Sequence, residues 1–139
     1  MANVRPILYI ESSEANKKIS IVKDMLPLEP VKYWAIGEKM TGENVISGAK
    51  RGNSLWSYEL PEKKTTEVSI VLLPLLELLH KYKDQLLEIN EKYGFDTYIC
   101  VVVKHLNKQI DLEMSLDRKI IKLLAELGLR LEYDIYYYE

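Results

Sequence analysis

Apolar residues recur with two different spacings along this chain, and the changes between the two predict where strands and helices lie. Residues 7–10 form an apolar run near the N-terminus and predict a short first strand. A helix is expected next, because either Ser12 or Ser13 offers an oxygen that caps a helix N-terminus. The apolar stripe of this helix has spacings of four, three and four, and consists of Ala15, Ile19, Val22 and Leu26. Pro27 then ends the helix.

The next part of the chain predicts two strands separated by a long loop. Residues 31–36 are rich in β-branched and aromatic side chains and predict a second strand. Residues 37–52 contain four glycines and predict a long irregular loop. Residues 54–60 alternate large apolar with polar side chains, which predicts a third strand that Pro61 closes.

The middle of the chain carries a long helical stripe. Apolar residues alternate spacings of four and three, which predicts one continuous buried face. The stripe consists of Val68, Leu72, Leu75, Leu79, Tyr82, Leu86, Ile89 and Tyr93. Pro74 lies inside it, so we expect either a kink at this proline or a helix that starts late. Gly94 is expected to end the helical segment.

A coiled-coil dimer would produce the same spacing as this stripe. Four further leucines widen the stripe beyond the narrow seam of a coiled coil, namely Leu73, Leu76, Leu78 and Leu87. Packing of the helical segment on a sheet therefore explains the pattern better than a coiled coil does.

The last third of the chain is expected to begin with a hairpin. Residues 97–103 are uniformly apolar and are expected in the centre of the sheet, with both faces covered. A turn at residues 106–109 would lead into an alternating strand over residues 110–114. Ser115 is then expected to cap a helix that Gly128 ends.

A closing strand over residues 129–138 completes the prediction of the fold. The elements follow the order β-α-β-β-α-β-β-α-β, which indicates the α+β class. We expect two layers, a mostly antiparallel mixed sheet with the helices packed on one face. Since 139 residues is the usual size of one domain, residues 1–139 are expected to form a single domain.

Charge and composition exclude more functions than they suggest. The chain has 19 Lys and Arg against 21 Asp and Glu, so it offers no basic surface for a nucleic acid or an anionic membrane, and we expect neither as a partner. Its N-terminal residues lack the features of a secretory signal, and its apolar runs are too short to cross a bilayer. Cys100 is the only cysteine, which agrees with a reducing compartment. We therefore expect a cytoplasmic protein.

Several short segments together resemble the bacterial domain-of-unknown-function 4279 family, and they extend over nearly the whole chain. The matching segments are residues 26–30 (Leu-Pro-Leu-Glu-Pro), residues 37–38 (Gly-Glu), Trp56, residues 75–79 (Leu-Leu-Glu-Leu-Leu), residues 83–86 (Lys-Asp-Gln-Leu), residues 124–129 (Leu-Ala-Glu-Leu-Gly-Leu) and residues 134–136 (Asp-Ile-Tyr). The resemblance implies a small, stand-alone cytoplasmic domain. It supplies no reaction and no catalytic residues.

Motifs for catalysis, metal binding and phosphate binding are missing from the sequence. His80 and His105 have no cysteine or carboxylate at ligand spacing, so we expect no metal site. His105 would lie on the opposite face of its strand from Cys100, which argues against a nucleophilic thiol. The glycines of residues 37–52 match no phosphate-binding fingerprint. We expect no catalytic residues and no cofactor.

The loop over residues 37–52 and its flanking strands offer the better candidate for binding. The candidate residues are the cations Lys39, Lys50 and Arg51 together with Trp34 and Trp56. Tryptophan and arginine are enriched at binding hot spots, and long loops on rigid scaffolds often carry function. The competing interpretation is that both tryptophans fill the core.

The closing strand adds two further candidates, Asp134 and Tyr136. Asp134 shares one face of the strand with Arg130, Glu132 and Tyr136, so that face is polar and rich in tyrosine. Paired carboxylates can perform acid–base catalysis, but Arg130 is placed to neutralise one of them. We expect a solvated or ion-paired face, with Asp134 as a structural anchor that needs hydrogen-bond donors.

These observations favour a non-catalytic protein that binds another protein, and we expect an immunity-type inhibitor of a toxin. The alternative is a small-ligand-binding protein or enzyme with a pocket between the 37–52 loop and the helices. A third possibility is a homodimer formed through an edge strand.

Overall fold

A mixed β-sheet with helices along one of its faces forms the body of the molecule. The computed structural model describes residues 2–42, 44–106 and 111–137, with the backbone alone for residues 105 and 106. In that part of the chain the sheet has six strands, and four helices accompany it. The predicted α+β class and the mostly antiparallel sheet are confirmed.

Ten elements make up the described residues. The strands are β1 (Ala2–Ser12), β2 (Lys32–Trp34), β3 (Ser54–Glu59), β4 (Lys63–Thr65), β5 (Asp96–Leu106) and β6 (Arg130–Tyr137). The helices are α1 (Ser20–Met25), α2 (Val68–His80), α3 (Lys83–Glu91) and α4 (Arg118–Glu126).

The long strand β1 is the centre of the sheet. The strands lie in the order β2-β3-β1-β5-β6, and β4 pairs with the N-terminal end of β1. All pairings are antiparallel except β5 with β6, which run parallel through the helix α4 that connects them. The uniformly apolar strand predicted for the sheet centre is β5, which lies one place away from it.

In the described part of the chain, helices cover only the sheet face to which the even-numbered residues of β1 point. Val4, Leu8 and Ile10 are fully buried there with Ile99 and Val101 of β5. The helices contribute large apolar side chains to the same cluster, among them Val22, Val68, Leu72, Leu75, Leu76, Leu79, Leu86, Ile89, Ile120 and Leu124. A second, smaller cluster on the opposite face draws on β1 and β5 alone. The expected helix layer on one face is therefore present, whereas β5 has no helix on its other face among the described residues.

Pro74 neither starts the helical segment nor ends it. Helix α2 begins at Val68 and continues through Pro74, which is exposed. Ile70, whose carbonyl loses its partner at this proline, is 43% exposed, so water can replace the missing bond. The break occurs instead at Lys81 and Tyr82, where Tyr82 leaves helical geometry before α3. The four-three phase survives the break, because Leu79, Leu86 and Ile89 are all buried.

The first predicted helix is much shorter than its stripe suggests. Strand β1 extends to Ser12, whose hydroxyl accepts a hydrogen bond from the Glu14 amide instead of capping a helix. Turns follow, and Lys17 reaches the carbonyl oxygens of Tyr93 and Gly94 at the end of α3. The expectation of a cap at Ser12 or Ser13 is wrong, because these tertiary contacts hold the segment before α1.

The predicted hairpin after β5 is also wrong. Residues 107–110, which include most of the expected turn, lie outside the described residues. Glu113 makes a single parallel bridge to Glu67 and exchanges backbone hydrogen bonds with Thr66 and Val68 at the start of α2. Its segment therefore leads away from β5 and into α4. The strand β4, which pairs with β1, was not predicted.

The end of the chain follows the prediction except at the helix cap. Asp117, not Ser115, caps α4, because its carboxylate accepts a hydrogen bond of 2.9 Å from the Ile120 amide. Gly128 ends the helix with a φ of +66°, which favours glycine. Strand β6 begins two residues later.

No helix among the described residues combines the length and the apolar character that a membrane span requires.

The cap at Asp117 can be tested by substitution. Replacing Asp117 with alanine leaves the Ile120 amide without its acceptor and should lower the free energy of unfolding by about 1 kcal/mol. Replacing Ser115 with alanine should change it by less than about 0.5 kcal/mol, because Ser115 is exposed and caps no helix. Urea unfolding of both variants measures the difference, and equal losses would contradict this assignment.

Candidate functional site

The sheet face opposite the helices, called the open face below, presents a row of polar and aromatic side chains. The odd-numbered residues of β1 point to this face, together with the even-numbered residues of β5 and β6, as the strand registers require. The small apolar cluster of Ile7, Cys100 and Val102 lies here, with Tyr9 and Tyr98 packed against it. The side chains beyond this cluster carry the chemistry of the face.

Trp34 of β2 forms one end of the row. The guanidinium of Arg51 lies over its ring, 3.8 Å from the ring centroid. The indole Nε1 donates a hydrogen bond of 3.2 Å to Oδ1 of Asn53, which precedes β3. Both the stacking and the hydrogen bond fix the orientation of the indole ring.

Glu11 of β1 lies at the middle of the row and accepts from both sides. The Asn53 amide donates to its Oε2 at 3.2 Å, and the Tyr98 hydroxyl donates to its Oε1 at 3.0 Å. No cation pairs with Glu11 among the described residues, so two neutral donors satisfy this half-buried carboxylate. Burial and the charge of Glu11 both raise the pKa of Tyr98 above its ordinary value.

Arg130 of β6 forms the other end of the row. Its guanidinium lies 4.1 Å from the centroid of the Tyr98 ring. It also forms ion pairs with Asp96, at 2.6 Å, and with Glu132. These two hydrogen-bonded carboxylates raise the pKa of Arg130, so its charge is permanent. The row therefore joins β2, β1, β5 and β6 through direct contacts, and Asn53, the residue before β3, links β2 to β1.

Two carboxylates, Glu132 and Asp134, continue the open face along β6 beyond Arg130. Asp134 is exposed and accepts a hydrogen bond of 2.9 Å from the Tyr136 hydroxyl. Beneath it, burial raises the pKa of the Cys100 thiol to about 11, and the charges of Asp134 and Glu132 act in the same direction. The expectation of Asp134 as a structural anchor within an apolar strand is not what the structure shows, because its carboxylate faces solvent.

The sequence-predicted site residues do not form one group. Trp34 and Arg51 contact each other, and Asp134 contacts Tyr136, but the two pairs lie on the outermost strands of the sheet. Four strand spacings of about 4.8 Å place them roughly 19 Å or more apart. Trp56 belongs to neither pair.

Trp56 lies on the opposite face from Trp34. It is fully buried in the main core, where its ring stacks with that of Tyr58. The competing interpretation, that the tryptophans fill the core, therefore holds for Trp56 and not for Trp34. Lys39 and Lys50 face each other across a short bridge at the base of the loop, and both are exposed.

Sequence reasoning missed the residues that join the two predicted pairs, namely Glu11, Asn53, Asp96 and Tyr98. Glu11 was placed beyond the first strand because the apolar run ends at Ile10. The alternation of buried Leu8 and Ile10 with Tyr9 continues into Glu11, and this pattern could have extended the strand. No local signal connects Asn53 or Tyr98 to Glu11, because both contacts are long-range.

Two small clefts border the face and the loop. One has a volume of about 220 Å³ beside the row, where Glu11, Asn53 and Asp96 line it with Ser12 and Ser13. The other, of about 230 Å³, lies between the segment 15–20 before and at α1 and the segment 33–38 that leads into the loop. Within residues 2–42, 44–106 and 111–137, no group of His, Cys, Asp and Glu side chains is arranged to hold a metal ion.

The fold and the open face define the class of this protein: an α+β protein with one sheet face under helices and a polar, aromatic network on the other. A family model described as a domain of unknown function (DUF4279) matches residues 7–138. The chain belongs to this family, as the resemblance predicted. Neither the curated proteins nor the solved structures contain a significant match to it.

The link through Asn53 can be tested by its contribution to stability. Replacing Asn53 with alanine removes the hydrogen bonds to Trp34 and Glu11 and should lower the free energy of unfolding by about 1–2 kcal/mol. Replacing Asn44, an exposed loop residue, should change it by less than about 0.5 kcal/mol. Urea unfolding checks both values. If Asn53 behaved like Asn44, the row would not be a connected network.

The reactivity of Cys100 tests the environment on the open face. Because the thiolate is the nucleophile and the pKa is raised to about 11, Cys100 should react slowly with a disulfide reagent at neutral pH and faster as the pH approaches that value. Unfolded protein should react at the rate of an ordinary thiol.

The same assay can separate the effect of the nearby carboxylates on the pKa of Cys100 from the effect of burial. The double variant Glu132→Gln, Asp134→Asn should lower the pKa of Cys100, because both charges raise it. The control variant Glu62→Gln, Glu91→Gln makes the same charge change at exposed sites off this strand. A pH–rate profile identical in both double variants would contradict the assignment.

Proposed function

We propose that this protein is a non-catalytic module that binds another protein through its open face. The observation that carries the proposal is the row of side chains from Trp34 to Arg130, which runs across the sheet from β2 to β6 through direct contacts. Tryptophan, tyrosine and arginine are the residue types enriched at the centres of protein interfaces.

The arrangement of the row favours binding because its members are already held in place. Trp34 stacks with Arg51 and donates a hydrogen bond to Asn53. Tyr98 donates a hydrogen bond to Glu11, and the guanidinium of Arg130 lies over its ring. Side chains that are ordered before binding lose less conformational entropy when a partner arrives. A row of this length across a sheet suits a protein surface better than a small ligand.

The narrower form of the proposal is an immunity-type inhibitor of a toxin that acts in the cytoplasm. Its support is the small acidic chain, with a net charge of -2, together with the unreactive environment of its one cysteine. An inhibitor of this kind acts by covering a surface and requires no catalytic group of its own.

A small-ligand-binding protein or enzyme is the second candidate function, and one observation favours it. A cleft does lie between the helical side of α1 and the start of the 37–52 loop, with Tyr33, Ala35 and Glu38 among its lining residues. Its volume of about 230 Å³ is below the roughly 300 Å³ at which ligand pockets begin, so only a very small ligand would fit in it.

Co-expression with the products of neighbouring genes tests the leading proposal. A partner that co-purifies with the wild-type chain should bind the Trp34→Ala variant at least about tenfold more weakly, because a buried aromatic anchor contributes at least ~1.4 kcal/mol. Titration calorimetry with the purified partner measures the ratio. The control is Ile121→Ala on α4, which removes a 54% exposed apolar side chain from the helix side.

Equal affinities of the Trp34 and Ile121 variants would reject the open face as the binding surface. A neighbouring toxin that remains fully active in the presence of the chain would reject the inhibitor role. A small molecule that raises the melting temperature of wild type, but not of a variant with Ala35 enlarged to tryptophan in the cleft, would favour the second candidate.

A further inference from the structure

Strand β6 is an outer edge of the sheet with eight residues. It pairs with β5 on one side, and no strand pairs with its other side in the described part of the chain. The opposite edge is formed by β2, which has only three residues. An outer strand of this length presents a row of backbone donors and acceptors that an extended segment of another chain can use.

The open-face side of β6 is acidic. Glu132 and Asp134 are both exposed on it, and the adjoining part of the face adds Asp96 and Glu11. Arg130 lies among these four carboxylates, and Asp96 and Glu132 already bind it. Arg5 of β1 also lies on this face, in register with Val102 and Asp134, and Glu59 pairs with it. Along β5 on the same face, the next cation is Lys104, beyond Val102. A segment that lies beside β6 therefore meets net negative charge.

The helix-facing side of β6 is apolar but not fully covered. Leu131, Tyr133 and Ile135 pack against the main core, yet each remains only half-buried. Their burial is incomplete because nothing described lies beyond β6 on this side. An added strand with apolar side chains at alternate positions would bury the rest of this surface.

A second copy of the chain is disfavoured at this edge in the two antiparallel registers that pair the most residues of β6, those centred on Tyr133 and on Asp134. In an antiparallel pairing of two β6 strands centred on Tyr133, Glu132 of one copy would lie opposite Asp134 of the other. In a pairing centred on Asp134, the two Asp134 side chains would face each other. Like charges directly opposite on neighbouring strands are destabilising. The acidic side chains thus disfavour a homodimer in the two registers that would bury most of this edge.

The geometry points to one kind of occupant: an extended segment of the partner protein in which basic residues alternate with apolar ones, added to β6 as a seventh strand. This inference rests on the proposed protein-binding function and specifies the partner's chemistry. The basic residues of the added segment lie beside Glu132 and Asp134 on the open face. Its apolar residues lie beside Leu131, Tyr133 and Ile135 on the helix-facing side. Backbone hydrogen bonds to the β6 edge supply the alignment.

A short synthetic peptide in which lysine and valine alternate is the probe for this edge. The wild-type protein should bind it, and the amides of β6 should exchange more slowly with solvent when it is bound. A peptide alternating glutamate and valine should bind at least about tenfold more weakly, as should a scrambled peptide of the lysine–valine composition. Nuclear magnetic resonance of the labelled protein reports both affinity and position.

Charge reversal on the protein provides the matched control. The variant Glu132→Lys, Asp134→Lys should bind the lysine–valine peptide at least about tenfold more weakly than wild type does. The variant Glu62→Lys, Glu91→Lys makes the same change in net charge at exposed positions away from β6, and should bind almost as wild type does. Equal binding by both variants overturns the inference, since general charge attraction then explains it. Wild-type dimers that the Glu132→Lys, Asp134→Lys change disrupts, seen by sedimentation, would also overturn it.

The failure of this inference can be told apart from failure of the proposed function. If Trp34→Ala weakens the binding of the partner and Glu132→Lys, Asp134→Lys leaves it unchanged, the result supports binding by the open face and rejects strand addition at β6. If neither set of changes weakens the binding of the partner, both the open face and the β6 edge are rejected as binding surfaces.

Discussion

The register of β1 is the constraint on which both the core and the open face depend. This strand pairs with β3, β4 and β5, and its side chains alternate between the two sides of the sheet. Val4, Leu8 and Ile10 are buried under the helices, whereas Tyr9 and Glu11 belong to the open face. A slip of one residue would place Glu11 in the core and expose the apolar row, so the hydrophobic effect that fixes the core also aligns the open face.

Local patterns predicted most elements because each pattern reports which face of an element is buried. The stripe from Val68 to Ile89 kept its phase across the break at Tyr82, since the same sheet face buries both helices. Patterns failed where a distant contact decided the outcome. Lys17 is held by carbonyl groups at the end of α3, and Glu113 by the start of α2. The residues next to Lys17 and Glu113 in the sequence do not indicate either contact.

The candidate site was predicted at its two ends and missed at its centre for the same physical reason. Residue type singled out Trp34 and Arg51, because aromatic and guanidinium groups are common at interfaces. Strand alternation singled out Asp134 and Tyr136. Glu11 became important only when strand pairing brought Asn53 and Tyr98 to it. The residue type of Trp56 suggested binding, but its position in β3 points its side chain into the core.

The pairing of β1 with β5 has a consequence for how the protein is made. Strand β1 leaves the ribosome before β5, but its longest pairing awaits this strand, which ends at Leu106. Closing so long a loop is slow relative to forming local helices. Before β5 emerges, β1 can pair with β3 and β4, and its other edge remains exposed to chaperones and to neighbouring nascent chains. The nascent chain is therefore most prone to aggregation in the interval before β5 emerges.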